Sequence, residues 1–214
     1  MSHPLFAAFY DRSMDALDAA GLGERRERLV ARARGRVLEI GAGTGRNLPY
    51  YRDVVEVVAL EPDAAMVKRL RDRVDHALVP VTLIESTLDA AQLDPASFDT
   101  IVCSLVLCTV DDLDATLRRI DALLAPGGQL LALEHVRGTG WRARLQDAST
   151  PVWRHVAAGC HANRDPIDAM RRGGFAVTDC DRFTMHRGLP IVAPHVSAVA
   201  VRKAAPTMDE ETTE

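Results

Sequence analysis

The stretch that most constrains this chain is Val37-Leu38-Glu39-Ile40-Gly41-Ala42-Gly43-Thr44-Gly45-Arg46-Asn47. An apolar run ends in an acid, and three alternating glycines follow. Residues able to start a helix come next. This is a strand–loop–helix pattern suited to a nucleotide-like ligand. Glycine there permits positive φ, or lets a ligand approach backbone that a Cβ would cover. The spacing is E-x-G-x-G-x-G rather than the dinucleotide pattern G-x-G-x-x-G, which would need glycine at Arg46.

Around this unit the chain alternates strand and helix. Apolar runs predict strands over 36–40, 56–60, 81–85, 101–104 and 129–133. Helices are expected over 47–52, 64–75 and 111–124, which implies a parallel sheet. Two N-terminal helices, 4–20 and 24–34, precede it; the second is highly charged and reads as a surface helix. After His135 the pattern loosens into helices at 142–157 and 165–172 and strands at 175–180 and 195–202. The expected organisation is one domain over 1–203 with a disordered acidic tail, 204–214. Within it, 1–34 is a candidate lid and 137–163 an acceptor-side insertion.

Glu61 ends the second strand, 22 positions after Glu39. An acid about 20 residues beyond a glycine loop is placed to accept hydrogen bonds from ribose hydroxyls. Pro62 and Met66 follow it, and Ser86 and Thr87 lie after the third strand, where adenine contacts are expected.

Composition excludes some classes of function. The net charge of −4 argues against a nucleic-acid footprint, which needs a basic stripe. No basic-then-apolar leader or bilayer-length apolar run is seen, so a cytoplasmic protein without a transmembrane segment is expected. Cys103, Cys108, Cys160 and Cys180 show no C-x-x-C pairing and no metal-ligand spacing, so no metal site is expected.

Glu39-x-Gly41-x-Gly43-x-Gly45, Glu61, Ser97-Phe98-Asp99 and Leu124-x-Pro126-Gly127-Gly128 together resemble the class I S-adenosylmethionine (AdoMet) methyltransferases over roughly residues 35–202. The segments Val102-Cys103-Ser104-Leu105-Val106-Leu107-Cys108-Thr109-Val110, Leu133-Glu134-His135-Val136, Trp153, Gly159-Cys160 and Pro194-His195 resemble the thiol S-methyltransferase branch. Animal members of that branch are membrane-associated and methylate alkyl thiols and hydrogen sulfide. The resemblance implies an α/β Rossmann-like sandwich: a mostly parallel seven-stranded sheet, its last strand antiparallel, with helices on both faces. It also implies AdoMet as cofactor, S-adenosylhomocysteine as product, and a small-molecule methyl acceptor.

Carried over residue by residue, the expected cofactor contacts are Glu39, Gly41, Ala42, Gly43, Gly45, Asn47, Glu61, Pro62, Met66, Ser86, Thr87, Ser104 and Leu105. His135, and second His195, are the catalytic candidates, histidine being suited to proton transfer near neutral pH. Tyr10, Cys108, Trp153, Cys160 and His161 are the candidates for acceptor binding. The favoured acceptor is a small thiol or sulfide. An O-, N- or C-acceptor of phenolic, quinone-like or lipid type stays open, as does a non-catalytic AdoMet-binding regulator. The oligomeric state is left open.

Overall fold

The computed structural model describes residues 4–157 and 159–203, with side chains from Tyr10 onward. The acidic tail expected to be disordered, 204–214, lies outside the described residues. The elements in order are α1 (Pro4–Leu17), α2 (Gly23–Val30), β1 (Gly35–Ile40), β2 (Val54–Leu60), α3 (Ala64–Val74) and β3 (Val81–Ile84). There follow β4 (Phe98–Ser104), α4 (Leu113–Leu123), β5 (Leu124–His135), α5 (Trp141–Val156), α6 (Pro166–Arg172), β6 (Phe175–Thr184) and β7 (Pro194–Arg202).

The seven strands form one sheet in the order β3-β2-β1-β4-β5-β7-β6. The first five run parallel, while β7 pairs antiparallel with both β5 and β6. The expected seven-stranded Rossmann-like sandwich is therefore present, and β1 and β4 sit at its centre. Both of these strands are buried on two faces, which is why their sequences read as continuous apolar runs.

Strand pleating sorts those runs onto opposite faces. Leu38, Ile40, Ile101 and Cys103 pack with Leu117 and Ile120 of α4 and with Ile167 and Met170 of α6. Val37, Val57, Ala59, Val102 and Leu131 pack with Leu29 and Val30 of α2 and with Leu70 of α3. The alternation places Glu39 on the α2 side.

Several expected elements are corrected. No α-helix forms over 47–52. Only a 3₁₀ turn, Leu48–Tyr50, is present, because Pro49 and the buried anchoring of Asn47 and Tyr51 stop a helix from growing. The N-terminal helices are not separated at Gly21 and Gly23. A π-helical segment, Asp18–Leu22, joins them, kinked where Gly21 takes φ 107°. Nor is α2 only a surface helix, since Gly23, Arg26, Leu29 and Val30 are buried. The strand expected at 129–133 takes in Ala125-Pro126-Gly127-Gly128 and becomes a 12-residue β5, with a register shift against β4 between Phe98 and Thr100. The strand expected at 175–180 extends to Thr184.

Ile101 is fully buried at the sheet centre, whereas Val55 is 71% exposed. Ile101→Ala should cost about 2–5 kcal/mol of unfolding free energy. Val55→Ala should stay within about 0.5 kcal/mol. Urea denaturation of both variants checks this; equal losses would contradict the assignment of the core.

Candidate active site

The glycine loop leaves β1 at the carboxyl edge of the sheet, where open α/β sheets bind ligands. Gly41, Gly43 and Gly45 all have positive φ (62°, 58° and 85°), as their alternation suggested. They do different work. A Cβ at Gly41 would come within 2.7 Å of Val106 Cγ2, so this glycine allows the loop after β4 to pack. A Cβ at Gly43 would meet nothing closer than Gly41 O at 4.0 Å, so its outer face is open to a ligand.

Glu39 is 2% exposed and anchors the loop from beneath. It accepts from Asn47 Nδ2 at 2.9 Å and from Tyr51 Oη at 2.8 Å. Asn47 in turn donates to Ser104 Oγ at 3.1 Å and accepts from the Arg26 guanidinium at 2.8 Å. One amide thus joins β1, β4, α2 and the glycine loop. Burial pushes the Glu39 carboxyl up to about 7, against the lowering effect of its Tyr51 and Asn47 hydrogen bonds.

Glu61 stands beside Gly43. One of its oxygens accepts the Gly43 N–H at 2.7 Å, and the other accepts the Asp63 N–H at 2.8 Å. Burial raises its carboxyl, opposed by those two hydrogen bonds. The open outer face of Gly43, flanked by a carboxylate, fits a ribose-bearing cofactor. Pro62 is exposed and Met66 is buried on α3. Ser86 and Thr87 form a local turn, with Ser86 Oγ donating to Thr87 O at 3.1 Å. Leu105 takes φ 59° and donates its N–H to Leu133 O at 2.8 Å, bending the chain out of β4.

The N-terminal helices lie across this cleft. Asp11 accepts from Thr44 Oγ1 at 2.6 Å and from Arg69 at 2.9 Å, and Arg46 bridges to Asp15 at 2.7 Å and to Asp18 at 2.8 Å. Burial opposes the Arg46 charge, but Asp15 and Asp18 outweigh it and raise the guanidinium. The space enclosed by Tyr10, Arg26, Glu39, Gly41, Asn47 and Ser104 is about 10 Å³, room for one water. Tyr10, expected on the acceptor side, stands in the wall of this space beside the glycine loop.

A second cluster forms at the ends of β4 and β5. His135, 6% exposed, ends β5, and its Nε2 lies 3.0 Å from Cys160 Sγ. Trp153 Nε1 donates to the same sulfur at 3.1 Å. Cys108 completes the group: the donor atoms of Cys108, His135 and Cys160 lie within 4.8 Å of one another. The adjoining Cys108 thiol lowers Cys160, and Cys160 together with burial raises Cys108. His161 attaches through its backbone, donating to Cys108 O at 2.7 Å. His195 pairs with His135 across the antiparallel β5–β7 ladder, with ring centroids 6.3 Å apart. Burial pushes His195 down to about 4, while its Nδ1 lies 3.0 Å from Ala193 O.

The expected absence of a metal rested on spacing along the chain; folding gathers a donor group that this spacing does not display. Sequence reasoning also missed Arg26, Tyr51, Glu134 and Arg164. Glu134 accepts both the Val106 and Leu107 N–H groups, at 2.8 and 2.9 Å, and fixes the loop that carries Cys108. Arg164 reaches the carbonyls of Val110 and, at 3.3 Å, Leu107 from the other side. Each is a polar side chain whose partners depend on tertiary context; only the run Glu134-His135 at a strand end gave a signal.

A methyltransferase domain profile matches residues 10–179. The chain belongs to the methyltransferase domain family. It is an AdoMet-dependent methyltransferase. Over 171 residues it is 28% identical to human thiol S-methyltransferase TMT1A and 30% identical to human thiol S-methyltransferase TMT1B. Each alignment spans 78% of this chain and 70% of the relative. Among solved structures, the methyltransferase in complex with the Haloferax volcanii Trm112 activator superposes with a TM-score of 0.69 at 15% identity, covering 94% of this chain and 97% of that one. That likeness establishes the fold. Among the described residues, no helix is long and apolar enough to cross a membrane.

The raised Glu39 carboxyl predicts a pH dependence. The folded protein holds a proton that the unfolded chain releases above its ordinary value of 4.5. The resulting stability is complete below that value and is lost as pH rises through 7. The full loss is about 3 kcal/mol. Glu39→Gln should remove this contribution. The stability gap between wild type and variant, measured by urea denaturation, should shift in favour of the variant between pH 5 and pH 8. A gap independent of pH would contradict a protonated buried carboxyl.

Proposed function

We propose that this methyltransferase transfers the AdoMet methyl group to the sulfur of a small thiol or sulfide. The observation that carries this reading is the group of Cys108, His135, Trp153 and Cys160, gathered where β4 and β5 end. Similarity to TMT1A and TMT1B over most of the chain supports the same acceptor class.

The donor half would use Gly41, Ala42, Gly43 and Gly45 as a backbone cradle. Glu61 would exchange its Gly43 N–H for ribose hydroxyls, since a carboxylate can accept both hydroxyls of a cis-diol. Asn47, Ser104 and Leu105 hold the far wall, while Met66, Ser86 and Thr87 flank the adenine end. AdoMet, when bound, supplies a methyl already activated on a sulfonium. What the chain must add is alignment and exclusion of water. A thiol needs no strong base, because it is partly ionised near neutral pH. His135 and His195 therefore orient the acceptor, and Trp153 and His161 close its pocket.

The N-terminal helices act as the lid. The bridges from Asp11, Asp15 and Asp18 to Arg46 and Arg69 must part before cofactor can enter. A single domain over 1–203 contains donor, acceptor and lid segments. Its four free thiols suit the reducing cytoplasm.

Incubating the full chain with AdoMet and a panel of alkyl thiols, sulfide, phenols and amines, and following S-adenosylhomocysteine, tests the reading. Release should depend on thiol or sulfide; release with phenols or amines alone would overturn it. Glu61→Gln should weaken AdoMet binding roughly ten-fold by calorimetry, the cost of about one hydrogen bond to a charged group. His135→Ala should lower kcat while leaving AdoMet affinity within about two-fold. Parallel losses of both would argue that His135 holds structure rather than acceptor.

A further inference from the structure

We propose that Cys108, His135 and Cys160 form a site for a thiophilic divalent cation, zinc by the nature of its donors, with a fourth position left for the acceptor sulfur. The inference deepens the thiol reading and rests on it only for the identity of that fourth ligand.

The argument starts from donor chemistry. Two thiolates and one imidazole are a donor set that zinc binds, and three protein ligands with one open position is the arrangement of catalytic zinc sites. Two thiolates would also cancel the charge of the ion. Geometry agrees. In tetrahedral zinc coordination, sulfur and nitrogen ligands lie about 3.5–3.8 Å apart. Here the three donor atoms lie within 4.8 Å of one another, and His135 Nε2 is 3.0 Å from Cys160 Sγ. Small side-chain rotations would centre an ion among them. All three residues are buried, with exposures of 2%, 6% and 6%.

The surroundings are those that hold ligands in place. The Trp153 indole N–H points at Cys160 Sγ, as a hydrogen bond to a bound thiolate would require. Glu134 Oε1 fixes the backbone of the Cys108 loop, while its Oε2 is buried without a hydrogen-bond partner. His135 is seated on β5 opposite His195, their ring centroids 6.3 Å apart, and its Nδ1 is buried without a hydrogen-bond partner. The three ligands come from a loop after β4, the end of β5 and the segment after α5. Their separations of 27 and 25 residues explain why no motif is visible along the chain.

The chemistry has a direct use. A thiol taking the fourth position would release its proton to solvent and remain a thiolate near neutral pH. After methylation it would be a neutral thioether, a weaker zinc ligand, and would leave. His135 then positions the acceptor through the ion and need not remove a proton.

The test uses the full chain, purified under reduction. Zinc titrated against a chromophoric chelator should bind at one equivalent per chain. Cobalt(II) in its place should show thiolate-to-cobalt charge-transfer absorption. Cys108→Ser and Cys160→Ser should each weaken zinc binding by at least roughly 10–100-fold. Cys180→Ser, at an exposed thiol outside the cluster, should leave it unchanged. Circular dichroism would confirm that each variant is folded. Adding an alkyl thiol to the cobalt protein should shift its visible bands. Absence of zinc binding, or binding that is lost with Cys180, would overturn the site. Undiminished thiol turnover by metal-depleted protein would overturn the activating role. Zinc binding without turnover of any thiol would leave the site standing and sink the thiol reading instead.

Discussion

The site depends on one buried carboxyl group. Glu39 lies under the glycine loop with almost no access to solvent and is held by the Tyr51 hydroxyl and the Asn47 amide. An acid in a sheet core carries a desolvation penalty that only such partners offset. Asn47 spends its remaining capacity on Ser104 and Arg26, so the same amide reports to the end of β4 and to α2. The loop that would hold the methyl donor and α2 are therefore parts of one hydrogen-bonded unit.

The proposed acceptor side is built by different means. Reversal of β7 against β5 brings His195 opposite His135, and the two irregular segments after β4 and α5 deliver Cys108 and Cys160 to the same place. Rigid strands fix the imidazoles, while Glu134 and Arg164 hold the Cys108 loop from opposite sides. The proposed donor and acceptor halves meet at Ser104, the last residue of β4.

Much of the proposed donor half was legible in the sequence, because its signals are local. Glycines that need positive φ, an acid at the end of β2 and apolar runs with turn residues between them all appear as short patterns. The seven-stranded sheet and its antiparallel final strand came through resemblance to a family rather than through periodicity. What stayed hidden depends on tertiary contact. Arg26 reads as one more charge on a polar helix, yet it is buried against Asn47. The segment after the glycine loop resembles the start of a helix, but Asn47 and Tyr51 turn inward to Glu39 and only a 3₁₀ turn survives. Cys108, His135 and Cys160 share no spacing, and only the fold brings them together.

If Asn47 couples the donor loop to β4 and α2, removing its amide should damage cofactor binding before it damages the fold. The direct measurement is calorimetric AdoMet affinity for Asn47→Ala, with secondary structure followed by circular dichroism. The account predicts a loss of roughly ten-fold or more in affinity, as expected for breaking a buried, charge-linked hydrogen-bond network, with the spectrum retained. Wild-type affinity in that variant would contradict it.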